Sequence, residues 1–466
     1  MGPFDFEFDH ADDADDERLG DLVRSYEHDS SAYFDSQALE EIATFYYEYG
    51  RFEDALEVID DILRDQPFQS EAWMRRGVLL GLMGRHGAAL QAYERALSIS
   101  PMDAETLVNM ALTYDHLGRT AQAIELYERV LQMDPTYEDA LFHLGVTLER
   151  ADRLDEAVDC FEACIEIEEE HPEAHYELGY CYDRLGRDQD SIASYERHLD
   201  IDPYSADAWY NLGIVRNRTG LFAAALDAYD FALAIQEGFA SAHYNRGNTL
   251  ANLGQLDEAI AAYAHVITLE GDDAATYYNI GLAYEEKRDY TAAIGYFEKA
   301  IAHESGYAEA WYGMGCCLDA LGRYTDAVRS FTKAIELSPD TTEFWYARAD
   351  SLYNGGQLAQ ALDAYRTVVR MDPQNGESWL DYAETLFEAD RPSEALDAYR
   401  HALQAAPQMV GVYFQQAKAL YALGKRDETI TSLETAFRLD PQTREAFRQS
   451  YPELYNDPHL RSRLRF

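Results

Sequence analysis

Two hydrogen-bonding side-chain types recur at a fixed interval along the centre of the chain. A tyrosine stands every 34 residues at six successive positions, and an asparagine directly follows three of these tyrosines. An asparagine amide both donates and accepts, so a row of asparagines can pair with the backbone of an extended peptide. Tyrosine adds amphipathic contact area at low entropic cost. The candidate binding residues are Tyr176, Tyr210, Tyr244, Tyr278, Tyr312, Tyr346, Asn109, Asn211, Asn245, Asn279 and Asn248.

A row of arginines follows the same interval. Arg150, Arg184 and Arg218 stand 34 residues apart. Their guanidinium groups could receive the carboxylates of a partner, because arginine binds carboxylates with two parallel hydrogen bonds. The alternative is that they pair locally, with Glu149 and Asp183 next to them in sequence or with neighbouring helices.

Signatures of catalysis are missing from the sequence. It contains no GxxxxGK[ST], GxSxG or HExxH motif. Cys160 and Cys164 lie four residues apart, with Cys181 and His198 further along, but the two cysteines occupy positions where small or apolar residues pack. We therefore expect no metal, no cofactor and no enzymatic activity. The five cysteines include no CxxC pair, which indicates free thiols in a reducing compartment.

The helices that must position these tyrosine, asparagine and arginine side chains are predicted by a strict 34-residue repeat in the sequence. Eight prolines are separated from one another by multiples of 34 residues. The same spacing includes four further positions at which another residue replaces proline. Two apolar stretches of helical period lie within each interval, separated by a break that contains glycine. The sequence therefore predicts tandem antiparallel helix pairs. The prolines are Pro67, Pro101, Pro135, Pro203, Pro339, Pro373, Pro407 and Pro441, and the replacements are Glu169, Glu237, Gly271 and Ser305.

Other positions of the unit carry residues that such a pair requires. Counting from Ser36, the eighth position is glycine or alanine, the twentieth is mostly alanine, and the twenty-fourth is mostly aromatic. Small residues permit two helices to cross closely, and the aromatic rings can fill the gap between neighbouring units. Glycine at the fifteenth position permits the positive φ that ends a helix. All five tryptophans of the chain stand at the fourth position.

This pattern of W, L-G, Y, A, F/Y, A and P resembles the tetratricopeptide repeat (TPR) family. The resemblance covers residues 36–443 as twelve repeats without insertion. It implies an all-α fold, an α-solenoid of antiparallel helix pairs wound as a right-handed superhelix. It also implies a concave groove lined by the second, fifth, sixth, ninth, twelfth and thirteenth positions of the first helices. The tyrosine, asparagine and arginine rows would face this groove, although tyrosine and asparagine are also common in the family for structural reasons.

The charge of the chain restricts its partners. The 86 acidic residues against 38 basic residues give a net charge of −48. Nucleic acid and anionic membranes would be repelled by such a surface. The acidity is spread over the chain and only five residues are lysine, which favours adaptation to high salt over a surface built for a basic partner. Both explanations stay open.

Segments outside the repeats complete the predicted organisation. Residues 1–17 hold eight acidic residues and no lysine or arginine, which predicts a disordered acidic tail. Residues 18–35 are predicted to form an N-terminal capping helix, and residues 444–466 a C-terminal capping helix with a short basic tail. The N-terminus resembles no signal peptide, and no apolar run is long enough to span a bilayer. We expect a cytoplasmic protein.

These observations predict a non-enzymatic scaffold that binds a protein or an extended peptide in the superhelical groove. The alternative is a structural protein that self-associates through the ends or the convex face of the solenoid. The oligomeric state and the identity of a partner do not follow from the sequence.

Overall fold

The computed structural model describes residues 13–28 and 34–464, with side chains from Arg18 onward. The predicted tail over residues 1–17 therefore lies mostly outside the described residues. The described chain contains α-helices and no strands, as predicted. It divides into two compact units, Met1–Ile235 and Gln236–Phe466.

The first unit holds a helix followed by six helix pairs. In each pair the second helix is antiparallel to the first and separated from it by a short turn. The helices are α1 Asp13–His28, α2 Ser36–Glu48, α3 Phe52–Asp65, α4 Ser70–Leu82, α5 His86–Ile99, α6 Ala104–His116, α7 Thr120–Met133, α8 Glu138–Arg150, α9 Leu154–Ile167, α10 Pro172–Arg184, α11 Asp188–Ile201, α12 Ala206–Arg218 and α13 Phe222–Ile235.

The second unit holds six further pairs followed by three short helices. The helices are α14 Ala240–Asn252, α15 Leu256–Glu270, α16 Ala274–Glu286, α17 Tyr290–His303, α18 Ala308–Ala320, α19 Tyr324–Leu337, α20 Thr342–Asn354, α21 Leu358–Met371, α22 Gly376–Glu388, α23 Pro392–Ala405, α24 Val410–Ala422, α25 Arg426–Leu439, α26 Thr443–Ser450, α27 Pro452–Asn456 and α28 Pro458–Leu464.

The turn inside each pair is fixed by one residue with positive φ. Nine repeats use glycine at the fifteenth position, for example Gly50 with φ 69°. The three repeats without this glycine hold Asp152, Arg288 and Asp390 there, with φ of 60°, 61° and 59°. The left-handed conformation is therefore a property of the repeat, and these three non-glycine residues adopt it at a steric cost.

In seven repeats, glycine at the eighth position leaves room for the aromatic ring at the twenty-fourth position. A Cβ on Gly145 would lie 2.6 Å from the ring of Phe161, the aromatic residue at the twenty-fourth position of the same repeat. The ring thus occupies the space that a side chain at residue 145 would need. The same ring position also contacts the next repeat in one case, since a Cβ on Gly313 would lie 2.8 Å from the ring of Phe297.

Tryptophan at the fourth position closes the turn between pairs. Each indole Nε1 donates to the carbonyl oxygen six residues earlier, at the proline position, over 2.9–3.2 Å. The residues are Trp73, Trp209, Trp311, Trp345 and Trp379. Where proline is replaced by Glu169 or Glu237, the Nε2 atoms of His175 and His243 contact that carbonyl oxygen at 2.9 and 3.0 Å. A fourth-position side chain therefore holds this turn even without proline.

Both ends of the chain carry helices that cover apolar surface. The predicted N-terminal capping helix over 18–35 is Asp13–His28 in the structure, and its Val23 packs against the core of the first pair. Residues 29–33 lie outside the description. At the other end, the segment predicted as one capping helix forms α26, α27 and α28, whose Phe447 and Leu460 are 1% and 0% exposed against α25.

Candidate functional site

Tyrosines at the fifth position of the first helices pack within their own repeats. Each of the six rings contacts the aromatic ring at the twenty-fourth position of the same repeat, with ring centroids 5.7–6.2 Å apart. All six tyrosines remain partly accessible. The row therefore contributes to the core of each pair and also presents its hydroxyl edges at the surface of the first helices. The six are Tyr176, Tyr210, Tyr244, Tyr278, Tyr312 and Tyr346.

Two asparagines at the sixth position donate hydrogen bonds to tyrosines of the preceding repeat. The Nδ2 atom of Asn211 donates to the hydroxyl oxygen of Tyr176 at 3.0 Å, and Asn279 donates to Tyr244 at 2.8 Å. A hydroxyl that accepts in this way still has its own hydrogen to donate, and the asparagine Oδ1 can still accept. The pairs therefore orient polar groups without using all of their hydrogen-bonding capacity.

The remaining asparagines have different surroundings. Asn109 is only 7% exposed, and its amide lies 3.8 Å from the sulfur of Met74, so it belongs to the core between α4 and α6. Asn248 accepts a hydrogen bond of 2.8 Å from the hydroxyl of Tyr263. Asn245 is half-buried on α14. The asparagines thus do not form one uniform row.

The three arginines pair with carboxylates of the preceding repeat or turn. Arg150 contacts Asp115 at 2.8 Å, and Arg184 contacts Asp152 at 2.6 Å. Arg218 contacts Asp183 at 2.5 Å and also pairs with Asp188. Exposed pairs of this kind contribute little to stability, so the guanidinium groups could exchange partners at small cost.

Half-buried carboxylates on the first helices were not predicted from the sequence. Glu177 on α10 faces Glu149 on α8, and burial, the Glu149 charge and a hydrogen bond between the two raise the pKa of Glu177 to about 7. Burial also raises the pKa of Glu149. In the second unit, burial raises the pKa of Asp350 to about 6, with Asp381 and Asp319 adding negative charge. Acidic residues at the sixth, ninth and twelfth positions of successive repeats were the available signal.

A hollow of about 510 Å³ lies between the first helices α2, α4 and α6, with α3 behind it. Most of its lining residues stand at the second, fifth, sixth, ninth, twelfth or thirteenth position of their repeats. A second hollow of about 490 Å³ adjoins it along the turn before α6 and shares three of its residues. The first hollow is lined by Ala43, Thr44, Tyr47, Glu48, Ile59, Glu71, Met74, Arg75, Val78, Leu79 and Glu105.

This hollow was not predicted from the sequence, because most of the predicted binding residues stand further along the chain. The available signal was the fifth position, which holds Met74 in the second repeat but tyrosine in the six repeats that begin between residues 172 and 342.

The cysteines are placed as packing residues. All five are free thiols. Burial raises the pKa of Cys164 and Cys181 to about 12, so both remain protonated at neutral pH. Within residues 13–28 and 34–464, no group of three or more His, Cys, Asp or Glu side chains is arranged to hold a metal ion. In the same part of the chain, no helix is long and apolar enough to cross a membrane.

Several solved structures are similar to parts of this chain. The crystal structure of MamA is 26% identical over 34% of this chain and 94% of its own, with a TM-score of 0.34. YrrB, described as a TPR protein with an unusual peptide-binding site, is 21% identical over 43% of this chain and 99% of its own, with a TM-score of 0.38. A tetratricopeptide repeat protein from Parabacteroides merdae is 19% identical over 53% of this chain and 98% of its own, with a TM-score of 0.41.

No curated protein matches the chain. Five family models described as tetratricopeptide repeat or TPR repeat match it. The matched residues are 153–206, 278–342 and 346–410 for one model, and 68–136, 116–163, 247–288 and 410–443 for the other four. Together they span most of residues 68–443 and confirm the resemblance drawn from the repeat. The chain belongs to the tetratricopeptide repeat family.

Proposed function

We propose that this chain is a non-enzymatic protein-interaction scaffold that binds an extended peptide segment along the first helices of its repeats. The observation that carries the proposal is the pair of cross-repeat hydrogen bonds Asn211–Tyr176 and Asn279–Tyr244. Each bond fixes one hydroxyl donor and one amide acceptor on a partly accessible surface. Groups held in place before binding lose little entropy when a partner arrives.

The spacing of these groups suits an extended chain. Neighbouring packed helices lie about 8–10 Å apart, and an extended chain advances about 3.3 Å per residue. Successive repeats would therefore meet about every third residue of a bound segment. That spacing would let successive repeats contact backbone groups at intervals along the segment.

The alternative is self-association through the ends or the convex face of the solenoid, and the contacts bear on the ends. Val23 of α1 is buried against the first pair, and Phe447 and Leu464 are buried against the last. End-to-end stacking would have to displace these helices. Cytoplasmic location and the exclusion of nucleic acid stay predictions from composition.

The test removes single hydroxyl groups and leaves the rings in place. Peptides would be selected by display against the full chain, and their affinities measured for a Tyr176→Phe/Tyr244→Phe double variant. We expect a loss of about 1 kcal/mol, roughly fivefold, for each hydroxyl that contacts the peptide. Tyr195→Phe is the matched control, because its hydroxyl is fully buried beneath the same repeat. If the double variant binds every selected peptide as tightly as the wild type, these tyrosines do not contact a ligand.

A further inference from the structure

The hollow between α2, α4 and α6 has an apolar floor. Ile59, Leu79 and Met74 are 1%, 4% and 5% exposed, and Val78 stands beside them. Its volume of about 510 Å³ lies within the range of about 300–1,000 Å³ that is usual for ligand sites in proteins. An apolar side chain placed here would leave water and contact the floor, which is favourable in proportion to the area buried.

The rim of the hollow is negatively charged. Glu48, Glu71 and Glu105 line it, and Arg75 is the one basic residue among the lining side chains. Arg75 is already paired with Glu71 at 2.7 Å. Partial burial and the nearby carboxylates Asp103 and Glu71 raise the pKa of Glu105, so its charge is incompletely compensated. The rim would therefore favour a cationic group beside the apolar side chain.

Resting on the proposed function, we infer that this hollow binds a partner segment in which a large apolar side chain is flanked by lysine or arginine. Charge complementarity with the rim selects this chemistry. The chain's own residues 1–12 carry Phe4, Phe6 and Phe8, but acidic residues alternate with them and would be repelled by the same rim. The chain's own basic helix Pro458–Leu464 has its leucine side chains buried against the last pair. The occupant is thus a basic segment of another protein.

The experiment uses three fluorescein-labelled peptides of twelve residues and the full chain. The first has a central leucine and phenylalanine flanked by four lysines. In the second, glutamates replace the lysines, and in the third, serines replace the leucine and phenylalanine. Fluorescence anisotropy at 0.1 M KCl should show the first binding at least tenfold more tightly than either of the others. Equal affinity of the first and third peptides would mean non-specific attraction to an acidic protein and would overturn the inference.

Variants then locate the binding. Glu71→Gln/Glu105→Gln should weaken the first peptide about tenfold. The matched control Glu309→Gln/Glu343→Gln changes the same second position in two later repeats and should alter affinity less than twofold. Thr44→Trp, which fills the hollow, should abolish binding. The glutamine variants keep the side-chain shape, so they remain informative if the tryptophan variant folds poorly by circular dichroism. Equal losses in the two double variants would overturn the inference.

Two outcomes separate this inference from the proposed function. If the first peptide is insensitive to Glu71→Gln/Glu105→Gln but is weakened by Tyr176→Phe/Tyr244→Phe, the hollow is not its site and the proposed function stands. If none of the peptides, displayed or designed, depends on any first-helix side chain, both fail. Deletion of residues 1–12 should leave the affinity unchanged, and a tenfold gain would identify that segment as the occupant instead.

Discussion

Glu177→Gln should stabilise the repeats around α10 at alkaline pH and have little effect at acidic pH. Glu177 and Glu149 lie half-buried on neighbouring first helices and share a hydrogen bond, which requires a proton on one of them. The pKa of Glu177 is raised to about 7, so this proton is lost near neutrality. Glutamine has the shape of the protonated acid and keeps a donor towards Glu149 at every pH.

The direction of the pH dependence follows from the raised pKa. The folded chain binds this proton more tightly than the unfolded chain, so the stabilisation is complete below about pH 4.5 and is lost as the pH rises through about 7. A difference between 4.5 and about 7 corresponds to roughly 3 kcal/mol at about 1.4 kcal/mol per pKa unit. Partial solvent access screens the repulsion, which leaves an expected gain of about 1–2 kcal/mol for the variant at pH 8.

Local hydrogen exchange is the appropriate assay, because unfolding of a long repeat array is not a single two-state transition. Exchange of the amides in α8 and α10, corrected for intrinsic rates, should slow in the variant at pH 8 and match the wild type at pH 5. Glu173→Gln on α10, whose side chain is 53% exposed, is the control and should leave exchange unchanged at both values. An equal gain at pH 5 and pH 8 would refute carboxylate repulsion as the cause.

Four substitutions and one change of solvent test other features of the fold. Gly145→Ala should lower the local stability of α8 and α9, measured by hydrogen exchange, by about 1–3 kcal/mol, because its Cβ would meet the Phe161 ring at 2.6 Å. Gly295→Ala, with nothing within 4 Å of its Cβ, should raise the local stability of α17 by about 1 kcal/mol. Arg288→Gly should stabilise by about 0.5–1 kcal/mol by relieving the positive φ. Ser305→Pro should stabilise the turn before α18 by about 0.4–1 kcal/mol in local hydrogen exchange, because Trp311 Nε1 donates to the carbonyl oxygen of residue 305 as other tryptophans donate to proline carbonyls. Thermal midpoints measured between dilute buffer and 2 M KCl should rise if the acidity reflects salt adaptation, and an unchanged midpoint would count against it.

Much of the fold could be predicted because the same residue types recur at the same positions in twelve repeats. The proline positions mark the end of the second helices, which stop two residues earlier wherever proline is present, as at Asp65 before Pro67. A positive φ could also have been predicted for Asp152 and Arg288, because both stand at the fifteenth position of their repeats.

The sequence could predict which positions of the first helices carry polar side chains, but not which of these side chains bind one another. Which asparagine meets which tyrosine depends on the rise and rotation between repeats, and this is a property of the packed helices. The sequence therefore placed Asn211 on the surface without showing that its amide binds Tyr176 in the preceding repeat. The burial of Asn109 could not be predicted either, because it depends on the contact between its amide and the sulfur of Met74.

The polar side chains of the first helices owe their orientation mainly to neighbouring repeats. Asn211 donates a hydrogen bond to Tyr176, and Arg150 donates one to Asp115, and the partners in each pair are 35 residues apart in sequence. Such contacts orient the side chains of the proposed binding surface before a partner arrives, and they use hydrogen bonds that a partner could otherwise have made. Glu149 and Glu177 differ, because their contact is repulsive once both are ionised. Where neighbouring side chains bind one another, as Asn211 and Tyr176 do, their orientation is fixed by a hydrogen bond. Where they repel, the stability of the surface depends on pH, and nothing in the repeat pattern itself requires a carboxylate at these positions.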